Sequence, residues 1–459
     1  LGAGRPGTDF VCEWYPPAKR SAVISGPFTR GGVCLADCDY DGDADVFLSR
    51  MTDGGRLYRN LGGFKFEDVT DEMGIASPGV WGAGCTWADV NGDGWVDLYL
   101  CAFDAPNRLF MNQEGRGFKD QAKALGLDFK GASMMMAFSD YDLDGDLDGY
   151  LLTNRIPPGE EMKDVRFGLV KGPDGEPIIQ PEVMQEYAGI IKYPQGYKKI
   201  SSGQFDRLYR NDGGTFTEVG KEAGIRESEF GLSATWWDYD ADGYPDLYVS
   251  NDFYGADHLY RNQGDGTFKD MAPEALPHTP WFSMGSDVAD INNDGLFDYM
   301  ASDMAGSDHY KEKMSMGNMT GQDSDSWFLN WPTPAQYMRN AVYVNTGAGR
   351  FNEAAFLTGM AATDWTWSIK FGDLDCDGRE DVFITNGMSR DWFNSDLRNQ
   401  EEALIMSKGS AAGMTFWNDK EPLALKNWAF RNDGDLKFTN VGESWGLGDL
   451  SVSYGAALG

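Results

Sequence analysis

The sequence predicts an all-β fold, a seven-bladed β-propeller of four-stranded blades, and three observations predict it. A nine-residue acidic pattern returns six times, an apolar strand-like stretch stands on each side of every copy, and two further strand-like stretches follow each copy. A four-stranded unit cannot bury both faces alone, whereas a ring of such units can. Composition agrees, since 58 glycines favour turn-rich β structure over helix bundles and an aromatic content of 14% suits sheets.

The acidic copies are "DCDYDGDAD" from Asp37, "DVNGDGWVD" from Asp89, "DYDLDGDLD" from Asp140, "DYDADGYPD" from Asp238, "DINNDGLFD" from Asp290 and "DLDCDGRED" from Asp373. All read D-x-[DN]-x-D-G-x-x-D. A first strand such as "GAGCTWA" or "LSATWW" leads in, and a second such as "LYLCAF", "LYVSN" or "VFITN" leads out. The third strand is "RLYRN" at 56, "RLFMN" at 108, "RLYRN" at 207, "HLYRN" at 258, "AVYVN" at 341 and "WAFRN" at 428. The fourth follows a turn, as in "FKFEDV", "GTFTEV" or "GRFNEA". Successive loop starts lie 52, 51, 98, 52 and 83 residues apart, a base period of about 52 with extra residues in units three, five and six. The closing "SVSYGAALG" matches a first strand, so residue 460 would open a seventh loop. The expected organisation is an N-terminal segment 1–30 and a propeller 31–459. Its blades lie at about 31–80, 81–130, 131–230, 231–280, 281–360 and 361–450, with a seventh, truncated here, starting at 451–459.

Carboxylates packed this closely repel unless a cation sits among them. Side chains at loop positions 1, 3, 5 and 9, with a backbone carbonyl at position 7, form a hard oxygen cage of the kind calcium takes, with about six to eight ligands. Gly at position 6 permits the sharp turn. The expected ligands are Asp37, Asp39, Asp41, Asp43 and Asp45; Asp89, Asn91, Asp93, Trp95 and Asp97; and Asp140, Asp142, Asp144, Asp146 and Asp148. The later copies supply Asp238, Asp240, Asp242, Tyr244 and Asp246; Asp290, Asn292, Asp294, Leu296 and Asp298; and Asp373, Asp375, Asp377, Arg379 and Asp381. The cofactor expected is Ca2+ at six sites, with a seventh beyond residue 459. An EF-hand would need Glu at position 12 and flanking helices. Leu48, Leu100, Leu151, Val249, Ala301 and Ile384 stand there instead, between strand-like flanks.

These loops and the "LYRN…GDGTF" strands resemble the FG-GAP/VCBS repeats of integrin α-type propellers. The stretches "DLYVSNDFYGADHLYRNQGDGTFKDMA", "WSIKFGDLDCDGREDVFITNG" and "NVGESWGLGDLSVSYGAALG" are similar to the ASPIC/UnbV, cartilage-acidic-protein-like class, over residues 31–459. The resemblance implies secretion, calcium-rigidified blades and interaction with proteins or glycans; membership of a larger surface assembly is a further expectation about partners.

The extra residues, roughly 155–205, 303–339 and 387–426, all enter between second and third strands. That places the insertions on the face opposite the acidic loops. Long loops on a rigid scaffold are where binding sits. Candidate ligand-binding residues are Asp303, His309, Tyr310, Trp327, Trp331, Arg390 and Trp392, with Tyr193 and Lys198 beside them. "SDLRNQEEALIMSK" has the formers and acidic start of a short helix. The favoured function is a noncatalytic binding or assembly module, exported to the cell surface, extracellular space or periplasm. The alternative is a carbohydrate-active enzyme of polysaccharide-lyase type working in the funnel under the insertions, with His309 as the one insertion histidine among His258, His278 and His309.

A net charge of −33 excludes nucleic acid as a partner. No apolar run reaches the ~18 residues of a transmembrane helix. The chain opens at Leu1 without a leader-like stretch, so a signal peptide is expected to have been removed or to precede it. Among six cysteines, Cys85 lies four residues before its acidic loop and Cys101 four after it, which predicts a cross-strand disulfide.

Overall fold

The computed structural model describes residues 31–156, 169–172, 175–179, 188–193, 196–225, 228–253, 255–315 and 334–459. The segment 1–30, Trp327 and Trp331 lie outside the described residues.

Each repeat is an antiparallel meander of four strands in chain order. The first is Val33–Ala36, Asp45–Ser49, Gly55–Asn60 and Phe66–Asp68. The second is Trp81–Ala88, Asp97–Pro106, Arg108–Asn112 and Phe118–Asp120. The third is Lys130–Ser139, Asp148–Thr153, Arg207–Asn211 and Phe216–Glu218. The fourth is Gly231–Trp237, Asp246–Asn251, His258–Asn262 and Phe268–Asp270. The fifth is Ser286–Ala289, Asp298–Ala301, Ala341–Asn345 and Phe351–Glu353. The sixth is Thr366–Gly372, Asp381–Asn386, Trp428–Gly434 and Lys437–Asn440. This all-β repeat, with few and short helices, fits a β-propeller. The chain forms two compact units: one holds repeats one to four, and the other, Met271–Ala456, holds repeats five and six.

The core lies between neighbouring sheets. Second strands are buried on both faces and therefore read as nearly continuous apolar runs. In Asp97–Pro106, Leu98 and Leu100 pack with Phe47 and Leu57 of the first repeat, while Tyr99 and Cys101 pack with Met136 and Leu151 of the third. The same division brings Leu152 and Leu208 against Leu247 and Val249, and Met300 and Val342 against Ile369 and Ile384. The second repeat's first strand lies so close to its neighbours that glycine is required: a Cβ on Gly82 would stand 2.0 Å from Gly54 O in the first repeat, and one on Gly84 2.2 Å from Met134 O of the third repeat's first strand.

That two-faced packing overturns the disulfide. The register pairs Cys85 with Leu100, so Cys85 turns towards the first repeat and Cys101 towards the third. Side chains of adjacent residues on a strand point to opposite faces. Cys34, Cys38, Cys85, Cys101 and Cys376 are all free thiols. A nonreducing peptide map is expected to return Cys85 and Cys101 as separate alkylated peptides.

One-turn helices follow the fourth strands at Ala122–Leu125, Gly220–Ala223 and Ala355–Thr358, each closed by a left-handed glycine. The next residue, Leu127, Ile225 or Met360, drops into the core. The "GL", "GI" and "GM" dipeptides at these places carried that signal. The helix expected in the sixth repeat's insertion is Ser395–Lys408, capped by the Asn394 side chain, which accepts from the Asp396 and Leu397 N–H groups. A second helix, Ser410–Phe416, follows it. The C-terminal stretch pairs Leu450–Ser451 with Leu425–Lys426 and carries no further strand to Gly459.

Candidate metal centres and the opposite loops

Each acidic loop is knitted in the same way. The position 1 carboxylate accepts the N–H groups of positions 5 and 6, as when Asp238 Oδ1 and Oδ2 accept from Asp242 N at 3.0 Å and Gly243 N at 2.8 Å. The position 5 carboxylate accepts from position 7, as Asp144 does from Asp146 N at 3.0 Å. Positions 4 and 6 are both left-handed, so the loop curls twice: Leu143 has φ 61° and Gly145 98°. Glycine takes this conformation freely, but Tyr40, Leu143, Ala241, Asn293 and Cys376 take it too. The position 6 glycine was readable from the sequence, whereas the position 4 requirement was not.

The position 9 aspartates are anchors. Asp246 Oδ2 accepts from Tyr239 N at 3.1 Å and Oδ1 from Asn262 N at 2.7 Å, tying the loop to the third strand. Asp45, Asp97, Asp148, Asp298 and Asp381 do the same in their repeats. Burial pushes Asp97, Asp148 and Asp298 up to about 7 and Asp246 to about 8, against the pull of these donors.

Position 3 faces inward in the first, third and fourth repeats. Oδ1 of Asp39, Asp142 and Asp240 is buried and has no hydrogen-bond partner. Ligand atoms lie within 4.8 Å of one another in Asp37–Asp39–Asp41, Asp140–Asp142–Asp148, Asp238–Asp240–Asp246 and Asp373–Asp375–Asp381. Asn91 and Asn292 take the place in the other two loops. Clustered carboxylate oxygens with unsatisfied atoms fit a hard divalent cation. At position 7, Trp95, Tyr244 and Leu296 lie against glycines of the next turn, Gly115, Gly264 and Gly347, so these residues have only their backbone to offer an ion. Arg379 ion-pairs with Asp377, and Asp146 Oδ2 accepts from Gly213 N at 3.1 Å.

One element of this architecture escaped the sequence reading. The asparagine ending each third strand, Asn60, Asn112, Asn211, Asn262, Asn345 or Asn432, donates to the position 8 carbonyl of its own loop. Donation to the position 2 carbonyl of the preceding repeat's loop runs from Asn112 to Cys38 at 2.9 Å, Asn211 to Val90 at 3.2 Å, Asn262 to Tyr141 at 2.8 Å and Asn432 to Ile291 at 2.9 Å. Recurrence of Asn in all six third strands was the available signal.

On the insertion side the structure redistributes the candidates. Asp303 is fully buried and serves the backbone, accepting from Trp281 N at 2.7 Å and Phe282 N at 3.0 Å; burial pushes it up to about 6. The Arg390 guanidinium donates to the carbonyls of Trp417, Ser389 and Asn418. Trp392 is buried against Trp417, ring centroids 4.7 Å apart. Asp303 and Trp392 are buried, and Arg390 is half-buried against the insertion's own carbonyls. His309 and Tyr310 are exposed at the start of the short helix His309–Met314, where the Glu312 carboxylate lies 3.9 Å from the His309 ring. The insertions of repeats five and six meet: Ser395 Oγ donates to Met314 O at 3.0 Å and Ser315 bridges Asn394, while Lys311 Nζ pairs at 2.6 Å with Asp364, just before the sixth repeat's first strand. Among the described residues, these contacts between the two insertions are polar. Tyr193 and Lys198 lie on a separate hairpin, Ala188–Tyr193 with Gly196–Ser201, in the third repeat's insertion.

The remaining histidines are structural. His258 Nδ1 lies 2.9 Å from Asp270 Oδ2, as Arg108 lies 2.7 Å from Asp120 in the second repeat. His278 is buried between Arg339 and Glu353.

The FG-GAP-like repeat matches this chain at residues 37–100, 89–150, 238–301 and 328–384. Cartilage acidic protein 1 of Mus musculus is 24% identical over 267 residues, 57% of this chain and 35% of its own length. The Homo sapiens protein is also 24% identical, over 57% of this chain and 34% of its own. The chain therefore spans about a third of the length of these curated relatives. Among solved structures, an Agrocybe aegerita lectin that recognises non-reducing terminal N-acetylglucosamine aligns at TM-score 0.43 and 15% identity, over 90% of this chain and 79% of its own. BBS1N in complex with ARL6DN aligns at 0.32 and 8%, over 78% and 91%. Superpositions this loose carry no argument about fold or ligand.

Proposed function

The chain belongs to the FG-GAP-like repeat family, and from that premise we propose that it is an exported, calcium-binding, seven-bladed β-propeller acting as a noncatalytic module that binds a protein or glycan. Proteins of this repeat family are typically noncatalytic binding modules. The observation that carries the calcium reading is the inward, unpartnered carboxylate oxygen of Asp39, Asp142 and Asp240 within clustered acidic loops. Bound there, calcium supplies positive charge and holds the loop's curl. The protein's own residues hold the loop ends through the position 9 aspartates. Extracellular modules bind calcium at about 10⁻⁴–10⁻³ M, which supports a millimolar-calcium compartment such as the cell surface or periplasm. Among the described residues, no helix is long and apolar enough to cross a membrane.

The partner surface in this reading is the insertion side, where the fifth and sixth repeats' insertions are joined. The lyase alternative gains no observation, because His309 is exposed with Glu312 as its neighbour and Arg390 is held by carbonyls. The test replaces 387–426 with a Gly-containing turn and assays folding, calcium uptake, and binding on protein and glycan arrays. The expected variant folds and takes up calcium but loses the interactions of the parent. Unchanged affinity for every ligand of the parent would remove this surface from consideration, and shortened polysaccharide products would favour the enzyme.

A further inference from the structure

The six loops differ, and the differences come in pairs. Where position 3 is aspartate (Asp39, Asp142, Asp240, Asp375), the fourth residue of the third strand is arginine (Arg59, Arg210, Arg261, Arg431). Where position 3 is asparagine (Asn91, Asn292), the same slot holds Met111 or Val344. An added negative charge in the loop is thus matched, repeat by repeat, by an added positive charge on the strand beside it.

The geometry supplies the reason. Arg59 Nε lies 3.0 Å from Asp39 Oδ2, and the other oxygen of that carboxylate is the buried, unpartnered one. Arg261 Nε holds Asp240 Oδ2, its Nη2 reaches Asp242 Oδ2 at 2.7 Å, and Asp240 Oδ1 is again left over. In repeats three and six an acid two residues further on draws the arginine aside: Arg210 Nε lies 3.0 Å from Asp212, and Arg431 Nη2 2.7 Å from Asp433. Repeats one and four carry Leu61 and Gln263 at that place, and there the guanidinium turns to the loop. In the asparagine loops the amide closes on its own neighbour, Asn91 Nδ2 to Asp93 Oδ2 at 2.9 Å and Asn292 Nδ2 to Asp294 Oδ2 at 3.0 Å.

We propose that the third-strand arginine is the resident counter-charge of the position 3 carboxylate. In repeats one and four it holds one oxygen, steadies the loop while no cation is bound, and leaves the second oxygen for the cation. Arg59 and Arg261 are the two clearest positioning residues, and the inference rests on the calcium reading above. By sequence the loops then fall into two kinds, four with aspartate and arginine at these places, the pair being formed in the first and fourth repeats, and two with a neutral Asn–apolar combination. A guanidinium beside the site both repels an entering dication and stabilises the ion-free loop, so it weakens net binding. Removing it acts in the opposite sense, by about tenfold in affinity at low ionic strength for a dication at such short range.

The experiment uses the full chain and calcium itself as the probe. Variants R59M, R59K, D39N and D39N/R59M, with R261M as an independent second site, are melted in excess chelator and titrated with calcium by calorimetry. R59M and R261M should each melt below the parent in chelator and tighten one calcium site about tenfold. R59K should stay near the parent, D39N should weaken the site, and D39N/R59M should return towards parental melting and affinity. An R59M and R261M pair that melts like the parent and binds calcium unchanged, or more weakly, overturns the proposal. If the parent takes up no calcium, the calcium reading fails by itself. The chelator melting of the same variants still decides whether the arginines balance the loops.

Discussion

Stripping calcium should lower the melting temperature by roughly 10 °C for a chain of this size. The estimate follows from mass action. At 1 mM calcium and a dissociation constant of about 10⁻⁴ M, each occupied loop gains about 1.4 kcal/mol. Six acidic loops recur in this chain, so full occupancy would contribute about 8 kcal/mol. The physical source is the carboxylate crowding at Asp140, Asp142 and Asp148 and its counterparts, which only a cation converts from repulsion to attraction. Melting in calcium and in chelator, with metal content followed by elemental analysis, checks this. An unchanged curve with the metal demonstrably removed would falsify the calcium assignment.

Asn262→Ala should cost about 3–5 kcal/mol, the largest effect expected of a single substitution outside the acidic loops. The Asn262 amide is almost wholly buried; it donates to Tyr141 O at 2.8 Å and Pro245 O at 3.1 Å and accepts from Gly264 N at 2.9 Å. Truncation takes the donor from the buried Tyr141 carbonyl and the half-buried Pro245 carbonyl, at about 1–3 kcal/mol each, while the N–H of exposed Gly264 passes to water. It also cuts the link between the fourth repeat's third strand and the third repeat's loop. Asn352, exposed on a fourth strand, is the control, and its alanine variant should stay within about 0.5 kcal/mol of the parent. Denaturant titration of both variants in saturating calcium separates this stitch from metal binding. Equal stabilities would mean that the amide carries no weight.

The acidic loops were legible because their chemistry is local. Six copies of one nine-residue pattern state which oxygens can converge, and the strands on either side follow from alternation and from turn residues next to them. The disulfide failed on a different scale. Equal spacing of Cys85 and Cys101 about the loop predicted a cross-strand pair, but Asp97 already pairs with Ala88 as the first residue of the second strand, and the regular register counted from there puts Leu100 opposite Cys85. A one-residue slip reverses which face a side chain occupies. Asp303, Arg390 and Trp392 are engaged within the insertions, a role the sequence could not separate from binding because polar and aromatic residues in a long insertion serve equally well to bind a partner or to satisfy the insertion's own backbone. Only burial distinguishes the two.

The sequence by itself determined the repeat, its four strands, the composition of its acidic loops and the step at which the insertions enter, because each of these is written within about fifty consecutive residues. The tertiary structure decided what passes between repeats. It set the faces of Leu100 and Cys101, the asparagine bonds to the preceding loop, the carboxylate oxygens left unpaired, and the arginines that share those carboxylates. The physical reason is that hydrogen bonds and buried charge depend on which groups meet in space, and residues such as Asn262 and Tyr141 meet only when two separately encoded sheets pack face to face.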